Sequence, residues 1–269
     1  MSSSATHPTP HPDINAVLSA LLSGAQMILG ERFIGLYLCG SLVSGDFNPQ
    51  TSDIDFVVVT ADELPGDVVS ALKAMHTRLA ASGLKGAARL EGDYIPLLAL
   101  RRYDPRRASY PHLGVDGHFD VEHHGSDSVI QRHTLREQGV GIAGSSLQTL
   151  IDPVEPNDLR QAALELLREW WLPQLHHPFR LRSSEYQAYA VLTMCRALYT
   201  LQHATIVSKP VAARWAQEAL DERWAELIGQ ALAWRPDAQS DNLIETLDFI
   251  RHMLERSQQF EALIYEQTR

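Results

Sequence analysis

Cysteine is scarce in this chain, and its two thiols, Cys39 and Cys195, stand far apart within apolar segments. That usage excludes a disulfide framework and points to reduced thiols in a cytoplasmic protein. Basic charge is also in short supply: 23 Lys and Arg face 33 Asp and Glu, for a formal net charge of −10. A nucleic-acid-binding surface needs the opposite balance, so no nucleic-acid partner is expected. No run of about 18 apolar residues argues for a membrane span. The opening stretch, MSSSATHPTPHPD, lacks both the basic and the apolar region of a signal peptide. It reads as a disordered lead over residues 1–12. Histidine is plentiful at twelve, but the neighbours in EHHG and LHHP sit side by side, so their rings would diverge in regular structure and no zinc site is expected.

What remains is an ordinary globular composition of 269 residues, 45% apolar and 21% charged, long enough for two cores. The first half alternates in pattern. Residues 13–29 carry helical periodicity with Asp13 as the expected cap, FIGLYLCG reads as a strand, and DIDFVVVT as a second one. PGDVVSALKAMHTRLAAS returns to helix, ARLEGDYIPLLAL reads as a third strand, and 103–127 reads as a long loop without periodicity. After LIDPVEPND, which resembles a linker, the pattern is helical throughout, over about 157–171, 184–203, 208–220, 222–233 and 239–266, and all five tryptophans lie there. The expected fold class is α+β. A domain of short mixed sheet and helices over 13–155 precedes an all-α bundle over 156–269.

The stretch CGSLVSGDFNPQTSDIDFVVV places Asp53 and Asp55 two residues apart where a strand becomes apolar. Two like charges there are costly unless a cation sits between them. Alternate strand residues share a face, with Cα atoms about 6–7 Å apart. Both carboxylates would thus reach one Mg²⁺, which commonly takes one or two carboxylates plus substrate phosphates. Gly40 allows close backbone approach to a phosphate chain, and Ser41 offers a hydroxyl and an N–H. A third acid is available in ARLEGDYIP, either Glu91 or Asp93, which spacing alone does not separate.

GSLVSGDFNPQTSDIDFVVV resembles the signature of the polymerase-β-like nucleotidyltransferases, Gly-Ser followed by Asp-x-Asp. HTLREQGVGIAGSSLQTLIDPV and YAVLTMCRALYTLQHATIVSKPVAARWA are similar to segments of the aminoglycoside adenylyltransferases that modify streptomycin and spectinomycin. The resemblance spans about residues 30–235. It implies transfer of AMP from ATP to a hydroxyl of a cationic acceptor, with two Mg²⁺ ions held by Asp53 and Asp55 and with Gly40, Ser41 and Ser52 around the phosphates. It favours Glu91 as the base. A lysine at 209 in the first turn of a helix adds positive charge to a positive helix end, which suits an anion docked there; a solvated lysine is the alternative. Arg196 shares a helical stripe with Tyr189, Thr193, Thr200 and His203, by spacing a polar face. The resemblance implies instead that it reaches nucleotide phosphates across a domain cleft.

Two departures concern the acceptor. Streptomycin-modifying relatives carry a tryptophan after the third strand, and this chain has none between Phe56 and Glu169. Where they carry an acid near the start of the long C-terminal helix, an ungapped count from Arg196 falls on Tyr186, with Glu185 beside it. Spectinomycin is therefore expected over streptomycin. Alternatives are a protein or other small-molecule acceptor, or a nucleotide-binding regulator without turnover. A monomer or weak dimer is expected.

Overall fold

Ile14, Val17, Leu18, Leu21, Ala25 and Leu29 recur at the spacing of one helix face, and all are buried along α1 (Pro12–Leu29). The computed structural model describes residues 8–236 and 241–266. The chain divides into two units, residues 1–153 and 154–269. The N-cap of α1 is His11 rather than Asp13, which lies in the first turn and complements the helix dipole there. Residues 1–7 of the expected disordered lead lie outside the described residues. Thr9, also assigned to that lead, is ordered and buried. Its N–H and hydroxyl donate to Asn15 Oδ1 at 3.1 and 2.8 Å, and Asn15 Nδ2 donates back to its carbonyl at 2.8 Å. The stretch Pro12–Arg32 has the length and apolarity to cross a membrane, but the stripe named above lies in the core of the first unit.

The first unit continues through β1 (Phe33–Leu38), α2 (Ser41–Ser44), β2 (Ile54–Thr60), α3 (Gly66–Ala80), β3 (Leu90–Pro96) and α4 (Leu97–Arg101). It ends with β4 (Ser109–Leu113), β5 (Phe119–His123), α5 (Asp127–Gln138), β6 (Val140–Ala143) and α6 (Leu147–Leu150). The sheet order is β5-β4-β3-β2-β1-β6. Only β2 and β3 run parallel, joined through α3 as a parallel pair requires; the other pairs are antiparallel. This is the expected mixed sheet. Leu36, Leu38, Phe56, Val58 and Tyr94 pack with α1 and α3 on one face, while Tyr37, Val57, Val59 and Ile95 meet Leu100, Leu135 and Leu147 on the other.

Two local expectations fail, and one strand carried no signal. Residues 103–127 contain the β4–β5 hairpin instead of a loop, because Pro111 and three histidines hide an alternation that the ladder nonetheless uses. LLAL leaves the third strand after Pro96 and becomes α4. The short β6, half Gly and Ala, gave no strand signal and pairs with the outer edge of β1.

His76 sits in the core beneath Phe56, Tyr94 and Phe119, sharing a 2.7 Å hydrogen bond between Nε2 and the Tyr94 hydroxyl. Burial lowers its pKa to about 4, so the folded protein holds it neutral. The unfolded chain therefore binds the extra proton first, and the stability present above the ordinary histidine pKa is lost as pH falls from about 6.5 to 4. The loss reaches about 3 kcal/mol for a shift of this size. Urea unfolding at pH 7 and pH 4.5 should show a steeper acid loss for the parent than for His76→Phe; equal slopes would refute it.

The second unit is helical: α7 (Pro156–Leu166), α8 (Leu172–His176), α9 (Ser184–His203), α10 (Lys209–Ala219), α11 (Ala225–Ala233) and α12 (Leu243–Glu266). Between α7 and α8 the backbone widens into a π-type turn, Leu167–Trp171. Its core gathers Leu164, Leu167, Trp171, Met194, Leu198, Trp224 and Phe249 around α9. The stripe read as a polar face is only partly solvated: Tyr189 and His203 are exposed and Arg196 half-buried, whereas Thr193 and Thr200 are buried, and the Thr200 hydroxyl donates to the Arg196 carbonyl at 2.9 Å.

Candidate active site

Asp55 is the second residue of β2, and Asp53 precedes the strand by one residue; both are half-buried. The backbone reaches them through a tight turn. Cys39 N–H donates to the Asp55 carbonyl at 3.2 Å, and Gly40 follows with φ of 64°. A Cβ on Gly40 would stand 1.9 Å from Asp55 Oδ2, so only glycine permits this approach. Ser41 then opens α2, whose Val43 and Ser44 N–H groups donate to the Gly40 carbonyl. Ser52 closes the intervening loop: its hydroxyl oxygen accepts from Asn48 N–H at 2.9 Å and its carbonyl from Arg89 Nη1 at 2.7 Å.

Glu91 lies directly opposite Asp55 in the parallel ladder. Burial first, then Asp55 and Asp53, push its carboxyl up to about 7. The same crowding, after burial, raises the Cys39 thiol beside Asp55, Asp93 and Glu91. Asp93 differs in kind. It is 4% exposed, and both oxygens are engaged, Oδ1 with His112 Nδ1 at 2.8 Å and Oδ2 by Gln131 Nε2 at 2.6 Å. The two acids that spacing left as alternatives differ in contacts: Glu91 stands opposite Asp55 in the ladder, and Asp93 sits in a hydrogen-bonded shell. His112, His124 and Gln131 had no signal in the sequence, since their strands and helix carry no motif. The EHHG rings do diverge, His123 meeting Ser109 at 3.2 Å and His124 stacking on Tyr110 at 3.9 Å.

Among the described residues no group of three or more His, Cys, Asp or Glu forms a metal-ligand set. Two half-buried carboxylates next to a bare glycine fit a hard cation whose remaining ligands are not protein, such as phosphate oxygens.

In the second unit Lys209 is the first residue of α10, and Ser208 occupies the cap position without a side-chain capping bond. Lys209 Nζ lies 4.0 Å from the Tyr189 ring centroid. Tyr189 stacks on Tyr186 at 5.3 Å, and the Tyr186 hydroxyl accepts from Trp170 Nε1 at 3.2 Å. The Arg180 guanidinium lies over both Trp170 and Tyr186, at 5.1 and 5.9 Å. Tyr186 and Lys209, assigned separately from sequence, thus share one aromatic row. Glu185 is exposed in the first turn of α9, and Arg196 is half-buried two turns past Tyr189. The tryptophan pair is divided: Trp171 is 1% exposed and Trp170 41%.

A mixed sheet whose glycine turn backs onto paired carboxylates, with a third acid on the parallel neighbour, defines a nucleotidyltransferase domain. Comparison agrees: residues 27–88 match the nucleotidyltransferase domain model, and 149–258 match the model of the aminoglycoside adenylyltransferase C-terminal domain. The chain is a nucleotidyltransferase with a C-terminal domain of the aminoglycoside adenylyltransferase family. It is 25% identical over 247 residues to an aminoglycoside (3'') (9) adenylyltransferase of Escherichia coli, covering 88% of this chain and 90% of that one. It is 23% identical to a spectinomycin 9-adenylyltransferase of Campylobacter jejuni, covering 80% and 82%. A crystal structure of a spectinomycin adenyltransferase from Enterococcus faecialis, with ATP and spectinomycin, superposes with a TM-score of 0.68 at 19% identity, over 89% of this chain and 98% of that one.

Proposed function

We propose that this protein transfers AMP from ATP to a hydroxyl of an aminoglycoside or aminocyclitol and releases pyrophosphate. The observation that carries the reading is the row Asp53, Asp55 and Glu91, in which the third acid stands directly opposite Asp55 on the parallel neighbour. Asp53 and Asp55 hold Mg²⁺, two ions in this reading. When bound, the metal supplies positive charge to the nucleotide phosphates and to the departing pyrophosphate. Gly40 brings backbone N–H groups close, and Ser41 and Ser52 offer hydroxyls to phosphate oxygens. Glu91, opposite Asp55 on the parallel neighbour, accepts the proton of the acceptor hydroxyl at its carboxylate. Arg196 and Lys209 contribute positive charge toward the phosphates, and Tyr186 with Glu185 meets the acceptor. The reaction is placed in the cytoplasm, where ATP is available.

Spectinomycin is favoured over streptomycin. A guanidinium wants a carboxylate partner and an aromatic wall. At 186 this chain has a tyrosine, and its row of Trp170 and Tyr186 already carries the guanidinium of Arg180. A streptomycin guanidinium would compete with Arg180 and lack the charge-assisted hydrogen bond, which is about 1.5–3 kcal/mol. The kcat/KM for spectinomycin should exceed that for streptomycin by about tenfold or more. Pyrophosphate release across a drug panel tests both statements. Equal or better use of streptomycin overturns the preference, and no stimulation by any drug overturns the acceptor class.

A further inference from the structure

Asp93 is a buried carboxylate outside the proposed transfer machinery, yet three elements converge on it. His112 is its direct partner across β3 and β4, hydrogen-bonded through Nδ1; Gln131 of α5 donates to its second oxygen; His124 Nε2 approaches Oδ1 to 3.8 Å after β5. Such a shell fixes the imidazole: with Nδ1 turned to the carboxylate, Nε2 must face away from Asp93. It faces along β4 toward Gly114, where a Cβ would lie 3.8 Å from Nε2. Since Gly92 pairs with Leu113, that is the end of β3 at which Glu91 stands. Glu91 and His112 are thus diagonal neighbours on one sheet face, a relation with a spacing of about 7–8 Å and Cβ atoms somewhat closer, within reach of long side chains.

We propose that His112, clamped by Asp93, is a positioning residue for Glu91: it sets a cation beside the base, on the flank opposite Asp55. The proposal rests on Glu91 being the base. The electrostatics agree with the geometry. The hydrogen bond to Asp93 raises the His112 pKa against the effect of burial, with Asp93, Glu122 and Glu91 adding to the rise. His112 in turn opposes the upward push that burial, Asp55 and Asp53 exert on Glu91. The charged and titratable groups around the ring are Asp93 and Glu91 from β3, Glu122 from β5, and His124. A row of three carboxylates thereby gains a fixed cation that is not a metal ligand.

His112→Asn keeps an amide donor near Asp93 but removes everything that extends toward Glu91. With Mg·ATP and spectinomycin as probes, it should lose about tenfold or more in kcat, with KM for both substrates within about twofold and the melting temperature retained. In a Glu91→Gln background the same change should cost nothing further. An equal loss in both backgrounds, or none in either, overturns the proposal while leaving Glu91 as base. Full activity of Glu91→Gln instead removes the base assignment itself. Nitrogen NMR of the His112 ring in the ligand-free protein decides independently of turnover. Its resonances should move on Glu91→Gln, and unchanged resonances overturn the proposal.

Discussion

Asp55→Asn should abolish nucleotidyl transfer and leave the protein folded, with stability at pH 8 raised rather than lowered. The two halves of this expectation have one cause. Asp55 faces Glu91 across the parallel ladder and, after burial, is the largest contributor to raising that carboxyl to about 7. A carboxyl whose folded pKa is raised binds its proton more tightly in the folded state, so folding loses stability as pH climbs through that value. Removing one neighbouring charge relieves part of the penalty, about 1–2 kcal/mol at pH 8. Asparagine has the same shape, so the close approach of Gly40 survives. It lacks the negative charge that a hard cation requires. Asp53→Asn should behave alike with a smaller stability gain, since Asp53 lies farther down the order of causes. The measurements are pyrophosphate release with saturating Mg²⁺ and chemical denaturation at pH 8. Near-normal turnover in either variant would remove the metal assignment, and a clear loss of stability would remove the account of crowding.

Glu91→Gln should retain binding of Mg·ATP while kcat falls about 10²–10⁴-fold, the range for loss of a general base. Calorimetry with Mg·ATP separates this from a role as metal ligand, for which nucleotide affinity would fall as well. Asp93→Asn is the informative control. Its carboxylate is buried with His112 and Gln131 on its two oxygens, so the change disturbs a hydrogen-bonded shell and should lower stability and, through the loosened His112, lower kcat by no more than His112→Asn does. A fully active Glu91→Gln paired with a folded, inactive Asp93→Asn would transfer the role of base to Asp93.

The acidic row could be read from the sequence because its cost is local. Two carboxylates at the mouth of Phe56-Val57-Val58-Val59 contradict the burial that this run demands, and the contradiction itself marks the site. The strand of Glu91 and the helices of the second half were legible for the ordinary reason of periodicity. The β4–β5 hairpin was not. Its residues Ser109–Leu113 and Phe119–His123 hold proline, histidine and charge where the sheet edge needs little apolar surface, and four of the five β5 residues are exposed. With the hairpin hidden, His112 and His124 had no face, and their convergence on Asp93 could not be anticipated. The aromatic row of Trp170, Tyr186 and Tyr189 was obscured differently. It joins residues from the π-type turn and from α9, whose spacing along the chain follows no single helical period.

That π-type turn bears on how this chain is compared with others. A turn closed from i to i+5 holds one more residue than an α-turn, so everything before Leu167 is out of phase by one position with a homologue that continues in regular α-helix. Positions within Ser184–His203 belong to one uninterrupted helix, and counting back from Arg196 to Tyr186 crosses no irregularity. Trp170 lies inside the widened turn, so ungapped counting against such a homologue would shift its counterpart by one. Removing a single residue there would close the turn into regular α-helix and leave α7 and α8 in phase, so a one-residue deletion should be tolerated better within Leu167–Trp171 than elsewhere along these helices.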